Sequence, residues 1–462
     1  MMTTIHKDPH GGYLVLTKGA FDRVRFKKES EEKTELRRDA HDEFAKDAMR
    51  VIALGSKYVN ELPPENQLSE LERDLSFDGI IGIIDPPRPE CADAIAIAKR
   101  AGIRTVMITG DHAITASAIA RQLGLISESD KVVTGVELSE MSNEELISNV
   151  AQYSVYARVS PEDKIRIVEA WQEYNDVVAM TGDGVNDAPA LKAADVGVAM
   201  GISGTEVAKS AADMVLTDDN FSTIVDAVHK GRDVFSNIRK TIYFLTVCNF
   251  SEIIIMLGAQ IAGWGMPLTP IMLLLINVLG DGIPGIQLAR EKSDPKIMTR
   301  KPIGRNESLF EGMYFVITCQ TIAFAVVGWI AYYLGTHVVL SETRDPSHIL
   351  GQTMAFLVIG WTSIIHIFTV RSRKSVFKRT LRDNPHLVIS VIVMLIVFAL
   401  FVIVPSFAGV FGMVCIGINH WFVVGGLTLV PTVIAEIGKF ADERNYRIQR
   451  RRRLVRCEQL DV

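Results

Sequence analysis

Cysteine is scarce in this sequence, since only five of its 462 residues are cysteines, and they are scattered at positions 91, 248, 319, 415 and 457. No two of them form a CxxC pair, and no histidine cluster accompanies them. This spacing argues against a disulfide framework and against a structural zinc site. An excess of charge of one sign is also missing, because 49 Lys and Arg residues face 54 Asp and Glu residues. The formal net charge of −5, without aromatic residues interleaved in a basic stretch, gives no support to a nucleic-acid partner.

Long apolar runs are absent before about residue 235, and this part is typical of a soluble α/β protein. Short apolar runs alternate there with helical patterns, which predicts a doubly wound sheet of buried parallel strands. The predicted strands are Gly79–Ile84, Ile103–Ile108, Val177–Met180 and Val196–Met200. The predicted helices are Cys91–Ala101, Ala113–Leu123 and Pro161–Tyr174. The opening segment Thr3–Leu16 differs, because two strand-like pieces flank an Asp-Pro-His-Gly-Gly turn and so predict a hairpin.

Six apolar stretches follow, each long enough to cross a membrane. They lie near 241–262, 268–289, 312–334, 350–370, 387–407 and 419–438. The connections after the second and fourth stretches each carry six Lys or Arg residues, and the tail holds the run Arg450–Arg453. The other connections carry at most one, Arg344. By the positive-inside rule, this asymmetry predicts a multi-pass membrane protein with its soluble domains and C terminus in the cytoplasm, and the plasma membrane is its expected location.

The most specific segment of the soluble part is Met180–Pro189, with the sequence MTGDGVNDAP. It places Asp183 and Asp187 four residues apart, directly after a predicted strand. Ligands bind α/β sheets at the carboxyl ends of parallel strands, and Mg²⁺ usually takes one or two carboxylates together with phosphate oxygens. The glycines let the backbone approach a phosphate closely. Taken alone, the segment is equally compatible with an Asp/Gly turn that has no chemistry.

Two further segments favour chemistry. Thr109, Gly110 and Asp111 end another predicted strand, where a hydroxyl and backbone amides can hold a phosphoryl group at the start of a helix. Lys164 lies in the first turn of a third helix and can neutralise phosphoryl charge, although an isolated lysine there is more often a solvated one. The three segments together predict a Mg²⁺-dependent phosphoryl site.

These motifs resemble those of the P-type cation-transporting ATPases, and most of all the calcium-transporting type. The matching segments are TGDGVNDAPAL at 181–191, TGD at 109–111, DPPR at 85–88 and ARVSP at 157–161 with Lys164. Lys18-Gly19-Ala20 and AMRVIAL at 48–54 resemble the lysine motif and the arginine segment of the family's nucleotide domain. The resemblance covers nearly the whole chain. It implies a haloacid-dehalogenase-like phosphorylation domain, part of a nucleotide-binding domain, and the last six transmembrane helices.

The resemblance also implies roles for individual residues, with ATP and Mg²⁺ as cofactors. Asp183 is expected to bind the catalytic Mg²⁺, with Asp187 close behind it. The groups expected around the phosphoryl group are Asn186, Thr109, Gly110 and Lys164, with Asp111 in support. Those expected at ATP are Lys18, Gly19 and Arg50. In the family, an aspartyl phosphate forms and is hydrolysed at this site, and this drives alternating access.

The sequence departs from the family in what it lacks. It contains no Asp-Lys-Thr-Gly-Thr motif, in which the family's phosphorylated aspartate lies, and it lacks the actuator domain and the first four membrane helices. We therefore expect the C-terminal half of a pump, inactive alone, whose partner is the missing N-terminal half. The expected domains are a partial nucleotide-binding domain (1–75), a phosphorylation domain (76–235), an all-α six-helix membrane bundle (236–440) and a basic tail (441–462).

Polar residues inside membrane spans are costly and therefore mark functional sites. Asn249 and Glu252 share one face of the first span, and Asn277 and Asp281 share one face of the second. The following Gly-Ile-Pro-Gly sequence predicts a kinked or unwound helix whose carbonyl groups also face an ion. These oxygen ligands suit a hard cation. The resemblance agrees, because the four residues match positions at which calcium pumps of the family bind their ion.

Several alternatives remain open from the sequence. The transported ion can be sodium, manganese or a proton, because all use oxygen ligands. A membrane-anchored Mg²⁺-dependent phosphatase would need its own nucleophile, for which only Asp85 follows a suitable strand, and the two prolines after it do not resemble a nucleophile loop. A truncated, non-catalytic membrane protein is the third possibility.

Overall fold

The computed structural model describes residues 1–27, 30–46, 49–83, 86–127, 130–292, 294–338, 348–372, 375–376 and 383–458. Within these ranges, the side chains of residues 45–46, 50, 65–66 and 442–458 are not described. The chain forms two compact units. The first comprises residues 1–229 and 298–306, and the second comprises residues 230–297 and 307–462.

An antiparallel sheet begins the first unit. Its four strands pair in chain order and are β1 (Met2–Lys7), β2 (Tyr13–Ala20), β3 (Arg50–Val59) and β4 (Ser76–Ile83), with helix α1 (Glu31–Lys46) before β3. The predicted hairpin at Thr3–Leu16 is confirmed, because β1 pairs antiparallel with β2 around a turn in which the amide of Asp8 donates to the Gly12 carbonyl at 3.1 Å. Gly11 and Gly12 have φ of 103° and 83° in this turn, which glycine adopts without strain.

The sequence predicts Gly79–Ile84 as a buried strand of the parallel sheet, and this placement is wrong. Residues 79–83 form part of β4, which pairs antiparallel with β3 instead of joining a parallel sheet, and residue 84 lies outside the described residues. The residues of β4 alternate in burial, and Ile81 and Ile83 are half exposed. A strand of a one-sided antiparallel sheet needs one covered face only, whereas the apolar run GIIGII imitates a strand that is covered on both faces.

The rest of the first unit alternates strands and helices, as the sequence predicts. Its strands are β5 (Met107–Thr109), β6 (Lys131–Thr134), β7 (Tyr153–Ala157), β8 (Ala179–Gly182), β9 (Val196–Met200) and β10 (Met214–Leu216). Its helices are α2 (Pro89–Arg100), α3 (Ala113–Gln122), α4 (Gly135–Glu140), α5 (Asn143–Asn149), α6 (Pro161–Glu173), α7 (Ala188–Ala193) and α8 (Glu206–Ala211). The strands form two three-stranded parallel sheets, ordered β5-β7-β6 and β10-β9-β8.

The strand β7, at the centre of its sheet, is buried on both faces. Every residue of β7 is buried, and Tyr156 packs with Ile167 and Trp171 of α6 in one cluster. Met180 of β8 packs with Leu191 of α7 and Ala199 of β9 in a second cluster. These apolar clusters hold β5 and β8 in place, and the predicted site residues begin at the carboxyl ends of these two strands.

Six helical segments among the described residues are long and apolar enough to cross a membrane, which confirms the six predicted spans. They are Phe221–Ile261, Pro270–Leu288, Tyr314–His337, Ile349–Val370, Pro385–Ile403 and Ile418–Ala441. The helices concerned are α9 (Phe221–Ile261), α10 (Pro270–Leu275) with α11 (Ile283–Leu288), α12 (Tyr314–His337), α13 (Ile349–Val370), α14 (Pro385–Ile403) and α16 (Ile418–Glu458), and a short helix, α15 (Pro405–Val410), follows α14. The chain is therefore a multi-pass membrane protein.

The second span contains a π-helix, Ile276–Gly282, between α10 and α11. The sequence predicts a kinked or unwound segment at Gly282–Gly285, but residues 283–285 belong to the regular helix α11, and the irregular segment ends at Gly282. Pro284 accounts for this difference, because a proline has no amide hydrogen and its ring collides with the carbonyl four residues earlier. A wider turn before the proline relieves both problems, and such π segments are frequent at functional sites.

Helices α12 and α13 approach closely at two facing glycines. A Cβ atom added to Gly335 would lie 2.6 Å from Cα of Gly351, and one added to Gly351 would meet Oγ1 of Thr336 and lie 2.7 Å from the carbonyl oxygen of Tyr332. Small residues at such crossings let helix backbones pack against each other in membranes.

Gly351→Ala is expected to lower the midpoint of thermal unfolding of the detergent-solubilised chain by several degrees, because the added methyl group forces α12 and α13 apart. Gly425→Ala in α16 is the control, since a Cβ there meets no atom within 4 Å. That substitution is expected to leave the midpoint unchanged or to raise it, because alanine favours a helix over glycine by about 1 kcal/mol. Equal midpoints for the two variants would contradict the close-contact interpretation.

Candidate functional site

The loop after β8 holds Asp187 in a fixed position. One carboxylate oxygen of Asp187 accepts a hydrogen bond from Nζ of Lys164 at 2.5 Å. The other accepts from the amides of Gly184 at 3.0 Å and Asp183 at 3.3 Å. The loop closes tightly at Gly182, where a Cβ would collide with that of Asp187. Both oxygens of Asp187 are therefore already engaged, and the residue positions Lys164 and the loop.

Asp183 and Asn186 of the same loop are exposed, in contrast to Asp187. The carbonyl oxygen of Asp183 accepts a hydrogen bond from the amide of Thr205 at 2.8 Å, which fixes its backbone. Of the two aspartates expected to bind Mg²⁺, Asp183 thus presents its carboxylate to solvent, and Asp187 turns its carboxylate toward Lys164. This donor set fits a single-carboxylate Mg²⁺ site that would be completed by phosphate and water oxygens.

The local sequence explains the position of Lys164. Ser160 caps α6 through a reciprocal pair, in which the Asp163 amide donates to Oγ of Ser160 at 3.2 Å and the Ser160 amide donates to the Asp163 carboxylate at 2.9 Å. Pro161 occupies the first turn, where a missing amide hydrogen costs nothing. The first turn of α6 is therefore rigid, and Lys164 projects from it to Asp187.

The segment Thr109–Asp111 is joined to the start of α6 by the backbone. The amide of Val159 donates to the Thr109 carbonyl at 3.4 Å, and that of Arg158 donates to the Asp111 carbonyl at 3.1 Å. The hydroxyl of Thr109 accepts from the Asp111 amide at 3.1 Å. Because residues 158–159 immediately precede the helix of Lys164, these bonds bring the second and third predicted segments to one edge of the sheets.

The predicted ATP residues lie in the antiparallel sheet. Lys18 and Gly19 are in β2, and the side chain of Lys18 is exposed. Arg50 begins β3, but its side chain lies outside the described part of the chain. Asp85, the nucleophile that a phosphatase would need, also lies outside the described residues.

The second compact unit, called the membrane unit below, brings together three of the four predicted ion ligands. Nδ2 of Asn277 donates to Oε2 of Glu252 at 2.9 Å, across the contact between the second span and α9. Asp281 is buried, and its carboxyl group interacts electrostatically with Glu252. Asn249 is not part of this group, because its amide donates to the Leu245 carbonyl one turn earlier in α9 at 2.8 Å.

Three carboxyl oxygens of this group are buried without a hydrogen-bond partner among the described residues. They are Oε1 of Glu252 and both carboxyl oxygens of Asp281. Two residues that the ligand pattern did not include lie beside Asp281, namely Ser363 of α13 and Cys248 of α9. Ser363 Oγ donates to Cys248 Sγ at 3.2 Å. Among the described residues, no three His, Cys, Asp or Glu side chains are arranged to hold a metal ion by themselves.

His366, also in α13, belongs to the apolar packing and not to this group. Its ring lies against those of Tyr243, Phe244 and Phe324, and Nδ1 forms a hydrogen bond of 2.7 Å with the hydroxyl of Thr369.

Comparison with known proteins agrees with both halves of this description. Residues 265–441 match the family described as cation transporting ATPase, C-terminus. Residues 15–195 and 164–228 match families of haloacid dehalogenase-like hydrolases.

Curated relatives extend the likeness over nearly the whole chain. The chain is 40% identical to calcium-transporting ATPase 1 of Bacillus cereus, over 96% of this chain and 52% of that protein. It is 40% identical to the calcium-transporting ATPase of Bacillus subtilis, over 85% of this chain and 43% of that protein. It is 39% identical to the probable cation-transporting ATPase F of Mycobacterium bovis, over 74% and 40% respectively. The chain thus spans about half the length of the curated relatives it matches.

The ion pair of Asp187 makes the stability of the first compact unit, called the soluble unit below, depend on pH in the acid range. Burial raises the pKa of the Asp187 carboxyl group, but the hydrogen bonds from Lys164 and from the amides of Gly184 and Asp183 outweigh burial, so that its pKa lies below the ordinary value. A lowered pKa in the folded state stabilises the fold above the unfolded pKa of about 4, and this contribution is lost as pH falls through the lower folded value.

Asp187→Asn is therefore expected to lower the unfolding midpoint at pH 7 and to flatten its decline below about pH 4. Thermal unfolding followed by circular dichroism between pH 3 and 7 measures both effects. Asp183→Asn, an exposed neighbour on the same loop, is the control and should follow the wild-type curve. An Asp187→Asn curve parallel to that of the wild type would show that the ion pair does not contribute.

Proposed function

We propose that this chain, which belongs to the P-type cation-transporting ATPases, forms part of an ATP-driven pump that moves a cation across the plasma membrane through an aspartyl-phosphate cycle. Calcium is the proposed cation. The soluble unit and the C terminus lie on the cytoplasmic side in this proposal. We further propose the domains expected from the sequence, with residues 1–75 as part of the nucleotide-binding domain and 76–235 as the phosphorylation domain.

One observation carries the proposal. Glu252 and Asp281 bury two carboxyl groups that interact electrostatically between membrane spans, and three of their oxygens have no hydrogen-bond partner among the described residues. Burying such groups without compensation costs several kcal/mol. A bound cation removes this cost, because it neutralises the charge and takes the free oxygens as ligands.

The donor atoms favour a hard cation. Carboxyl groups of Glu252 and Asp281, the amide oxygen of Asn277 and the hydroxyl of Ser363 are all oxygen donors, as Ca²⁺ prefers. Asn249 joins the proposed set only after its side chain leaves the Leu245 carbonyl. By its resemblance to the family, the chain has Ser363 at a position where two-site calcium pumps have a glutamate, and we therefore propose one ion per cycle. Manganese, sodium and protons are the alternatives that a cation scan distinguishes.

The soluble unit supplies the proposed phosphoryl site. Asp183 would hold Mg²⁺, which when bound offsets the negative charge of phosphate oxygens. Lys164, held by Asp187, would add a positive charge at the same edge, and Thr109 and Gly110 would offer a hydroxyl and an amide. Lys18, Gly19 and Arg50 are proposed to contact ATP. The phosphorylated aspartate is proposed to come from the N-terminal half of the pump, because the sequence contains no Asp-Lys-Thr-Gly-Thr segment.

We predict that the purified chain alone, incubated with γ-labelled ATP, Mg²⁺ and calcium, forms no acid-stable phosphoenzyme. Co-expression with the N-terminal half of the Bacillus cereus relative should restore it, because that half would supply the missing aspartate. Labelled phosphate on an aspartate of the chain alone would contradict the proposal.

In the same reconstituted complex, Glu252→Gln and Asp281→Asn are each expected to weaken calcium activation of ATP hydrolysis at least tenfold, since losing about 1.4 kcal/mol of ion binding has that effect. Glu436→Gln in α16 is the control, because that carboxylate is already paired with Lys439 at 2.9 Å. A scan over calcium, manganese and sodium identifies the ion. Unchanged calcium activation in both site variants would exclude the proposed ion site.

A further inference from the structure

A buried polar network holds the end of the second span. Glu291, which follows α11, accepts two hydrogen bonds of 2.9 Å from Nε and Nη2 of Arg371, at the end of α13. The two side chains are 0% and 4% exposed. Such a two-point pair fixes the orientation of both groups as well as their distance.

Two asparagines from other spans complete the network. Nδ2 of Asn384 donates to the Glu291 carboxylate at 3.2 Å and to the Gln287 carbonyl at 3.0 Å. Oδ1 of Asn384 caps α14 by accepting from the amide of Leu387 at 3.1 Å. Nδ2 of Asn237 in α9 donates to the carbonyls of Ala289 and Glu291 at 3.2 and 2.9 Å.

The network solves a problem that every helix end poses. The last carbonyl groups of a helix have no partner within it, and here the side chains of Asn237 and Asn384 satisfy carbonyls at and just after the end of α11. Asn237 lies in α9 just before its long apolar stretch. This position, the end of the second span, the end of α13 and the start of α14 must all lie on one side of the membrane, because consecutive spans alternate in direction. Four spans are therefore joined at one level.

We propose that Glu291, Arg371, Asn237 and Asn384 form a clamp that sets the position of the segment 276–282 relative to α9 and α13. The clamp binds carbonyl groups at the end of α11 and just after it. Helix α11 continues directly from the π-helix that carries Asn277 and Asp281. Its partners are α9, which carries Glu252, and α13, which carries Ser363. The four residues are thus positioning residues for the carboxyl group pair. That this segment binds a cation rests on the proposed function, whereas the clamp can be tested without one.

Positioning is the role that the chemistry of this network favours over stability. Removing a buried ion pair in favour of apolar residues of similar size is often neutral for stability, because desolvation of the charges offsets their attraction. A two-point ion pair with directed hydrogen bonds, however, fixes the position of one helix along its neighbours, which apolar contacts do not specify. The clamp is therefore separable from the packing of the bundle.

Cys248 can report a change in the position of the second span relative to α9 and α13. It is 1% exposed, lies in α9 beside Asp281, and accepts the hydrogen bond of Ser363 from α13. If the second span shifts, the contacts of Cys248 with Asp281 and Ser363 loosen, and the thiol becomes accessible to alkylating reagents. Cys319 in α12 and the exposed Cys415 serve as internal references in the same sample.

The experiment measures alkylation of each cysteine by N-ethylmaleimide, resolved by mass spectrometry, in the purified chain in lipid nanodiscs without calcium or ATP. In E291L/R371M, the rate at Cys248 is expected to rise at least fivefold, with unchanged rates at Cys319 and Cys415 and a nearly unchanged thermal midpoint. R371K, which keeps the charge but not the two-point geometry, should give an intermediate rate. E436L/K439M removes an ion pair from α16 and should leave Cys248 protected.

A wild-type rate at Cys248 in E291L/R371M would overturn the proposal. If that variant does not fold, Asn237→Ala decides. It removes the two hydrogen bonds to the carbonyls at 289 and 291, together with the one that Oδ1 of Asn237 accepts from Lys240 at 3.0 Å, and it keeps the ion pair. Faster alkylation confined to Cys248 supports the clamp, and an unchanged rate in Asn237→Ala overturns it. Since no cation or ATP is present, a failure of the pump assignment does not affect this result.

Discussion

The membrane unit depends on the burial of two carboxyl groups, Glu252 and Asp281, at one place between spans. Like groups side by side in a low-dielectric interior destabilise each other, and each also loses its hydration. The chain tolerates this cost only if something else compensates for it. Asn277 offers a single hydrogen bond to Glu252. The oxygens that have no hydrogen-bond partner among the described residues are the basis on which we propose a cation at this site.

The backbone of the second span is adapted to the same constraint. Pro284 interrupts the regular helix, and the resulting π-helix carries both Asn277 and Asp281. A widened turn is tolerated within a membrane when neighbouring spans cover it. In this chain the clamp at Glu291 and Arg371 follows α11, so that the irregular segment is fixed beyond its end.

The soluble unit uses the opposite arrangement at Asp187. Its carboxylate is buried but fully engaged, by Lys164 and by two amides of its own loop. It therefore orients a lysine, while the exposed Asp183 remains available to a ligand. One loop thus holds Asp187 fully engaged and leaves Asp183 exposed, and the binding role is the one that we propose for Asp183.

Much of this could be predicted from the sequence. Span lengths, the α/β alternation and the phosphoryl motifs depend on local patterns, which is why they were recognisable. The pairing of β4 was not, because the run GIIGII has no alternation to mark an exposed face. Asn249 bonds to the Leu245 carbonyl of its own helix, which the spacing of the polar residues does not reveal. The burial of Arg371 depends on tertiary contacts, and Arg371 has the sequence appearance of a loop charge that orients the spans.

The most direct test of the central claim is the rate at which dicyclohexylcarbodiimide modifies Glu252 and Asp281 in the purified chain in lipid nanodiscs. This reagent enters the bilayer and couples to carboxyl groups there. The account predicts that calcium slows the modification of both residues, because the ion occupies their free oxygens. Equal rates with and without saturating calcium, manganese or sodium would contradict it.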